Sequence, residues 1–174
     1  MIYFENEQLK IRTMEKGDIE QLKIEFDEQG WHKDIDILSG YFEQQENGQK
    51  YIVIAEFNGK VAGYVTLLPQ AKNGPFAEKN IPELVDFIVF QKYQCNGIGS
   101  KILDVAENIA SKISDTVSLG VGIHYGYGSA QRMYVKRGYI PDGSGAWYNN
   151  KRLEQYAECK NDDDLVIFLS KSLK

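Results

Sequence analysis

Residues 83–100 read Glu-Leu-Val-Asp-Phe-Ile-Val-Phe-Gln-Lys-Tyr-Gln-Cys-Asn-Gly-Ile-Gly-Ser, and the fold prediction starts from them. The run at 83–90 is almost continuously apolar, which is typical of a central strand covered on both faces. Asp86 is an exception inside that run. Gly97 and Gly99 then open a segment whose isoleucines recur at helical spacing. These residues predict a central strand that leads through a glycine loop into a long helix.

The glycine loop predicts a site for an anion. The first amides of a helix lack carbonyl partners within the helix, so they can donate hydrogen bonds to a phosphate. Gly97 and Gly99 have no Cβ that would hold a pyrophosphate away from those amides. A Walker loop and the third glycine of a dinucleotide-binding pattern are both missing from the sequence. The residues alone therefore predict a phosphate-containing ligand without identifying it.

Further strands and helices are predicted on both sides of this segment. Asn58-Gly59 separates two β-rich runs and favours a type I′ hairpin turn. Asp18 is expected to cap an early helix, and a second short helix should follow around residues 35–42. Gly120 and Gly122 alternate with apolar residues in a later strand, which indicates that something approaches its backbone closely.

Composition restricts the class of partner. The chain has 174 residues, and its 20 basic and 25 acidic residues give a net charge of −5. This is the wrong sign for binding a phosphate backbone, so we expect no nucleic-acid partner, whereas a cationic substrate is compatible with the charge.

Cysteine, histidine and hydropathy patterns exclude other classes. Two cysteines and two histidines without metal-ligand spacing predict no metal site. We also expect no membrane segment, because no apolar run approaches the roughly 18 residues that a span needs. With no signal-peptide pattern at the amino terminus, the expected location is the cytoplasm.

Two motifs together resemble those of one enzyme family. Gln94-x-x-Gly97-x-Gly99, after a strand that ends Val89-Phe-Gln-Lys-Tyr93, is similar to motif A of the GCN5-related N-acetyltransferases (GNAT). Downstream, the segment 130–139 reads Ala-Gln-Arg-Met-Tyr-Val-Lys-Arg-Gly-Tyr, which resembles the family pattern of Ala, then Tyr-x-Lys-x-Gly and an aromatic residue. Two motifs at the family's separation are far more specific than either alone.

This resemblance implies the fold, the cofactor and the reaction. The fold class is α/β (α+β), a single N-acetyltransferase domain over residues 1–174 with a mixed central sheet of about six to seven strands and about four helices. The implied enzyme is an acyltransferase that moves an acetyl group from acetyl-CoA to a primary amine of a small molecule or peptide, by direct attack in a ternary complex.

The resemblance also implies cofactor-binding residues. The backbone of Phe87 to Val89 would bind the pantetheine arm, Gln94 would brace the loop, and the loop itself would receive the pyrophosphate. The full predicted set is Phe87, Val89, Gln94, Cys95, Asn96, Gly97, Ile98, Gly99, Ser100 and Tyr127. The sequence departs from the family at Cys95 or Asn96, where members often carry Arg, and at Tyr127, where they often carry Asn.

Tyr134 and Glu83 are the predicted catalytic residues. A tyrosine with a pKa near 10 is protonated at neutral pH, so Tyr134 can donate its proton to a thiolate leaving group. In histone-modifying relatives the base lies eleven positions before the motif glutamine, which corresponds to Glu83 here. Asp86 is the alternative base, and we expect Asp86 to be the drier carboxylate and Glu83, at the start of the strand, the wetter one.

Other hypotheses stay open at this point. Cys95 at a helix start allows a covalent acyl-enzyme. The departure at Tyr127 allows a non-catalytic sensor of acyl-CoA, and the glycine loop alone allows another phosphate-binding protein. A homodimer through the late strands near Tyr148 is a further hypothesis. His124 and the acidic run 162–164 receive no catalytic role.

Overall fold

The computed structural model describes every residue from Met1 to Lys174 and contains four α-helices and nine β-strands. The helices are Asp18–Glu28 (α1), Ile35–Glu46 (α2), Ile98–Ala110 (α3) and Gly128–Lys136 (α4). The strands are Ile2–Glu5 (β1), Leu9–Thr13 (β2), Tyr51–Phe57 (β3), Lys60–Leu68 (β4), Glu83–Val89 (β5), Thr116–Gly122 (β6), Ile140–Tyr148 (β7), Lys151–Arg152 (β8) and Leu165–Ser172 (β9). None of the helices combines the length and apolarity that crossing a bilayer requires.

The mixed α/β class and the four helices confirm the prediction, but the number of strands exceeds it. Six to seven strands were expected and nine are present. β8 has only two residues, Lys151 and Arg152, and both are exposed. A strand this short carries no hydrophobic alternation, so a sequence pattern gives no signal for it.

The first of two compact units consists of Met1–Leu68 and Val85–Ile109. Its strands are hydrogen-bonded in the order β1-β2-β3-β4-β5, and β1 to β4 pair antiparallel. The predicted hairpin is confirmed, since Asn58 and Gly59 between β3 and β4 have φ angles of 51° and 76°. Positive φ at both positions is what a type I′ turn requires.

Helices α1 and α2 bury one face each in the core of this unit. Leu22 and Phe26 of α1 and Leu38 of α2 pack with Ile54 of β3 and Tyr64 of β4. Phe26 also contacts Phe90 edge to face, at 5.1 Å between ring centroids. This core holds α1 and α2 firmly, so side chains on them have defined positions relative to β4.

The expected capping role of Asp18 is wrong. Its carboxylate forms two hydrogen bonds with the Arg12 guanidinium, at 2.7 and 2.8 Å, and both side chains are buried. The cap of α1 is Gly17, without a side-chain hydrogen bond. A buried arginine must be paired to offset its desolvation, and this demand outweighs the gain of a helix cap.

The second unit consists of Pro69–Leu84 and Ala110–Lys174. Its strand order is β5-β6-β9-β7-β8, where Glu83 and Leu84 of β5 pair parallel with Ser118 and Leu119 of β6. β9 pairs antiparallel with both β6 and β7. α4 ends where Gly138, with φ of 89°, provides a left-handed terminus.

The two glycines of β6 confirm the prediction of a close approach. A Cβ on Gly122 would lie 2.4 Å from the Tyr127 ring, and one on Gly120 would lie 3.2 Å from the Phe168 ring. The approaching groups are therefore aromatic side chains of the same chain, which pack flat against the strand where no Cβ intervenes.

Gly63 of β4 lies against the backbone of β5, and replacing it tests the packing of the two strands. A Cβ there would lie 2.3 Å from the Ile88 carbonyl oxygen and 2.9 Å from the Val89 Cα. Because these atoms belong to backbone, Gly63→Ala should lower the free energy of unfolding by roughly 1–3 kcal/mol, measured by chemical denaturation.

Gly40→Ala is the matched control. Gly40 lies within α2 and its added Cβ would meet no atom within 4 Å. Alanine should raise the stability there by roughly 0.5–1 kcal/mol, because it favours the helix. Equal stability of the Gly63→Ala variant and the original protein would contradict the close approach of β4 and β5.

Candidate functional site

The loop between β5 and α3 exposes the backbone amides predicted to bind an anion. Residues 94–97 are exposed, and the chain turns through positive φ angles at Cys95 (64°) and Gly97 (74°). A Cβ on Gly97 would meet no atom within 4 Å, so the space in front of the loop is open. The first amides of α3 follow directly, and they have no carbonyl partners within the helix. The loop can therefore accept a phosphate.

Two side chains hold this loop in place. The Gln94 side-chain amide donates to the Val89 carbonyl oxygen at 2.9 Å, which ties the loop to the end of β5. The Asn96 side-chain amide donates to the carbonyl oxygens of Tyr93 (3.0 Å) and Gln94 (3.1 Å). These bonds organise the loop before any ligand binds, which reduces the conformational entropy lost on binding.

The neighbouring lysines are engaged elsewhere. Lys92 pairs with Glu25 and Glu28, at 2.7 Å to each carboxylate. Lys101 lies 3.4 Å from Asp104 and 4.6 Å above the Phe4 ring. Attraction of an anion to the loop therefore comes from the backbone amides and the dipole of α3.

β5 changes character along its length. Its parallel ladder with β6 covers only Glu83 and Leu84. Asp86 then has a φ angle of 51°, which an L-residue rarely adopts in a strand. Phe87 and Val89, the predicted pantetheine residues, follow this irregularity and are half-buried. The strand is thus regular at Glu83 and distorted immediately before the segment predicted to bind the cofactor.

The two carboxylates of β5 have the opposite exposure to the one expected. Glu83, expected to be the wetter, is 8% exposed, whereas the Asp86 side chain is 24% exposed. Burial raises the pKa of Glu83 from its ordinary value of 4.5 to about 7, and a hydrogen bond from the backbone of Lys72 opposes that shift in part. The expectation failed because the start of β5 is not an open strand end: Glu83 pairs with Ser118 of β6 and accepts a hydrogen bond from the Lys72 backbone.

Asp86 lies in the first unit among polar groups from α2, β4 and the connection between α1 and α2. The hydroxyls of Tyr41 and Tyr64 each donate to its Oδ2 atom at 2.7 Å. The Lys33 ammonium pairs with the same oxygen and also donates to the Tyr64 hydroxyl oxygen at 2.7 Å. Lys33, Tyr41 and Tyr64 were not predicted as site residues, because they lie 53, 45 and 22 positions from Asp86 and no local pattern links them.

Tyr134 is buried in the second unit, on α4. Its ring meets the Tyr139 ring edge to face, at 5.6 Å between centroids. Burial, with a smaller contribution from Tyr127, raises the pKa of Tyr134 above its ordinary value of 10.0. The hydroxyl therefore keeps its proton at neutral pH.

Tyr127 lies just before α4, in the 3-10 turn Tyr125–Tyr127, so the two tyrosines do not share one α-helix. Its hydroxyl donates to the Asp163 Oδ1 atom at 2.9 Å, and the His124 Nε2 atom lies 3.0 Å from that oxygen. Both contacts lower the pKa of Asp163. His124 and Asp163, which received no role from the sequence, thus position the Tyr127 side chain.

Comparison with protein-family models matches residues 16–139 to the acetyltransferase (GNAT) family. This range includes β5, the glycine loop, α3 and α4. Comparison with curated protein sequences gave no match.

Solved structures share the fold over nearly the full chain. N-acetyltransferase from Staphylococcus aureus Mu50 has a TM-score of 0.71 at 18% identity, covering 98% of this chain and 100% of that one. The structure of yncA from Salmonella typhimurium with its cofactor acetyl-CoA has a TM-score of 0.70 at 16% identity, covering 96% and 95%. The ribosomal-protein-S18-alanine N-acetyltransferase from Escherichia coli has a TM-score of 0.66 at 15% identity, covering 95% and 94%. The chain belongs to the GNAT acetyltransferase family, and it is an acyltransferase that uses acetyl-CoA.

Proposed function

We propose that this enzyme transfers the acetyl group of acetyl-CoA to a primary amine by direct attack in a ternary complex, with Glu83 as the base and Tyr134 as the acid. The observation that carries the proposal is the burial of Glu83 at the start of β5, where its exposed fraction is 8% and desolvation raises its pKa to about 7. A carboxylate with this pKa can accept a proton from an amine at neutral pH.

The residues of the first unit fit acetyl-CoA. The exposed loop, the open space at Gly97 and the first amides of α3 suit a pyrophosphate. The backbone of Phe87 and Val89 would orient the pantetheine arm beside the distorted part of β5. When bound, acetyl-CoA supplies the thioester carbon that the amine attacks.

Glu83 and Tyr134 would move protons in opposite directions. An ammonium has no lone pair, so Glu83 would remove a proton from the acceptor, directly or through a water molecule. Tyr134, whose burial keeps its hydroxyl protonated, would donate to the departing thiolate, which has a pKa near 8.5. Asp86 is less suited to act as the base because Lys33 and two tyrosine hydroxyls occupy its Oδ2 atom.

Small-molecule and peptide amines are both acceptors within this proposal. One structural relative is a ribosomal-protein-S18-alanine N-acetyltransferase, which supports a peptide amine, and the net charge of −5 supports a cationic acceptor of either kind. We also propose a reducing cytoplasmic setting, because Cys95 and Cys159 are both exposed free thiols. The dimer stays a prediction, and the exposed cations Lys151 and Arg152 on β8 oppose pairing at that edge.

Gly97→Ala tests the loop as the pyrophosphate site. The φ angle of 74° is strained for alanine and costs roughly 1–2 kcal/mol, so the loop should relax and its amides should turn away from the phosphate. We expect a clear loss of acetyl-CoA affinity by calorimetry. Gly48→Ala has the same strain, with φ of 68° and open space, and should lose stability without losing affinity. Equal affinities of the two variants would exclude the loop.

Glu83→Gln tests the base through the pH profile. With Glu83 as the base, kcat/KM of the original enzyme should fall as the pH drops through about 7. The glutamine variant should lose roughly 100-fold in kcat/KM and lack this pH limb. Glu107→Gln, at a carboxylate of equal 8% exposure on α3, is the control and should keep the limb. A Glu83→Gln variant with the original pH profile would exclude Glu83.

The same glutamine variant has an expected signature in stability. Because the pKa of folded Glu83 is raised, the folded state binds more protons than the unfolded state between pH 4.5 and about 7. The free energy of unfolding should therefore decrease as the pH rises through this range, by up to about 3 kcal/mol. Glu83→Gln should remove that decrease in urea titrations at pH 5, 6, 7 and 8.

Tyr134→Phe tests the acid, and Cys95→Ala tests direct transfer. Phenylalanine should lower kcat by roughly 100-fold and leave the affinity for acetyl-CoA nearly unchanged, because only the proton donor is lost. Tyr139→Phe removes the hydroxyl of the neighbouring tyrosine, whose ring meets that of Tyr134 edge to face, and should keep turnover.

Cys95→Ala tests direct transfer, and this variant should also keep turnover. Loss of turnover in the Cys95→Ala variant would favour an acyl-enzyme. Full activity of the Tyr134→Phe variant would remove Tyr134 from the mechanism.

A further inference from the structure

A lysine of this chain occupies a site that is built for an ammonium ion. The Lys33 side chain is 14% exposed, and its ammonium pairs with the Asp86 carboxylate. The same nitrogen lies 5.4 Å from the centroid of the Phe26 ring, 5.0 Å from that of Tyr41 and 5.4 Å from that of Tyr64. We call Phe26, Tyr41, Tyr64 and Asp86 the ammonium cage. Three aromatic faces and one carboxylate are the combination that recognises alkylammonium ligands.

The cage is held together independently of Lys33. The Tyr41 and Tyr64 hydroxyls fix the carboxylate of Asp86 by donating to it at 2.7 Å each. Burial and the nearby Asp86 raise the pKa values of both tyrosines, so both hydroxyls remain donors. The Tyr64 ring is 6.5 Å from those of Phe26 and Tyr41, which fixes the walls against each other.

The walls and the occupant differ in how firmly they are held. Each wall residue lies on a helix or a strand: Phe26 on α1, Tyr41 on α2, Tyr64 on β4 and Asp86 on β5. Lys33 lies in the connection between α1 and α2, where residues 31–34 form neither helix nor strand. The preceding His32 is exposed, with 78% of its side chain in solvent. The backbone of the walls is thus held by helices and strands, whereas that of Lys33 is not.

Asp86 itself is strained in a way that points to function. Its φ angle of 51° aims the carboxylate at Tyr41, Tyr64 and Lys33 from within a strand. Non-glycine residues in the left-handed region cost free energy and are concentrated at binding and catalytic sites.

The cage stabilises the charged form of an amine. Its carboxylate and its ring faces attract an ammonium and gain little from a neutral amine. An amine held there keeps its proton and has no lone pair for attack. The group bound in the cage is therefore an anchor, and a different amino group of the same acceptor must be the nucleophile.

We propose that the ammonium cage binds a protonated alkylammonium group of the acceptor, that Lys33 is an internal competitor for this site, and that the acceptor carries a second amino group which receives the acetyl group. The inference rests on the proposed function and specifies its acceptor as a molecule with at least two amino groups. Displacement of Lys33 by the acceptor would also couple the α1–α2 connection to substrate binding.

Chemical rescue tests the cage without any turnover. Lys33→Ala deletes a propylammonium fragment, so n-propylammonium chloride should bind the variant and raise its Tm by roughly 3 °C or more at about ten times the Kd. The original protein and Lys23→Ala, which removes a half-buried lysine paired with Asp27, should show no such shift at matched ionic strength. Neutral n-propanol should not rescue, and Lys33→Ala/Asp86→Asn should not respond.

Two outcomes of the rescue experiment would overturn the proposal. A folded Lys33→Ala variant that ignores propylammonium, or responds equally to propanol, would make Lys33–Asp86 a structural ion pair only and overturn the proposal. If Lys33→Ala does not fold, Lys33→Met keeps the length of the side chain without its charge and is taken into the kinetic test below.

Kinetics then separate this proposal from the proposed function. With acetyl-CoA, 1,4-diaminobutane should have a KM that is roughly tenfold lower for Lys33→Ala or Lys33→Met than for the original enzyme, because the competing ammonium is gone. n-Butylamine should gain nothing, and Asp86→Asn should raise the KM of the diamine. An unchanged KM with normal turnover would overturn the cage and leave the transferase intact. Rescue by propylammonium in an enzyme that acetylates no amine would keep the cage as a site and overturn its link to the acceptor.

Discussion

The first unit depends on the contact between β4 and β5 at Gly63. The space there cannot hold even a methyl group, because the Ile88 carbonyl oxygen would lie 2.3 Å from it. This approach sets the position of β5, and β5 in turn carries Asp86, Phe87 and Val89 and leads into the phosphate loop. The Gln94 side chain continues the same constraint by tying the loop to Val89. A single close backbone contact thus positions both the proposed acceptor anchor and the proposed cofactor segment.

Glu83 and Asp86 illustrate how one strand can give two carboxylates different chemistry. Glu83 is buried where β5 pairs with β6, and desolvation raises its pKa to about 7, where it can exchange protons. Asp86, three positions later, accepts hydrogen bonds from two tyrosine hydroxyls and pairs with the Lys33 ammonium. Desolvation suits Glu83 to the role of base, whereas the hydrogen-bond donors suit Asp86 to the role of cation binder.

The different surroundings of Asp86 and Glu83 also explain the separate roles that we propose for them at the acceptor. Asp86 and its aromatic walls hold an ammonium as a cation, so they contribute affinity and orientation. Glu83 is the proposed base for the amine that must become neutral. The proposed acceptor therefore carries two amino groups, and Lys33 occupies the position of the one that binds at Asp86.

Local sequence patterns were sufficient to predict the main helices and strands and to identify the family. Asn58-Gly59 determines its hairpin through the positive φ angles it tolerates, Gly97 and Gly99 mark the turn from β5 into α3, and Gly138 ends α4, because each of these depends on neighbouring residues only. The exposure of Glu83, the pairing of Asp18 with Arg12 and the cage around Lys33 were decided by tertiary structure. Burial and pairing of charges depend on residues far apart in the chain, such as Lys33 and Asp86 at a separation of 53. The periodicity of a sequence does not indicate which distant side chains come into contact.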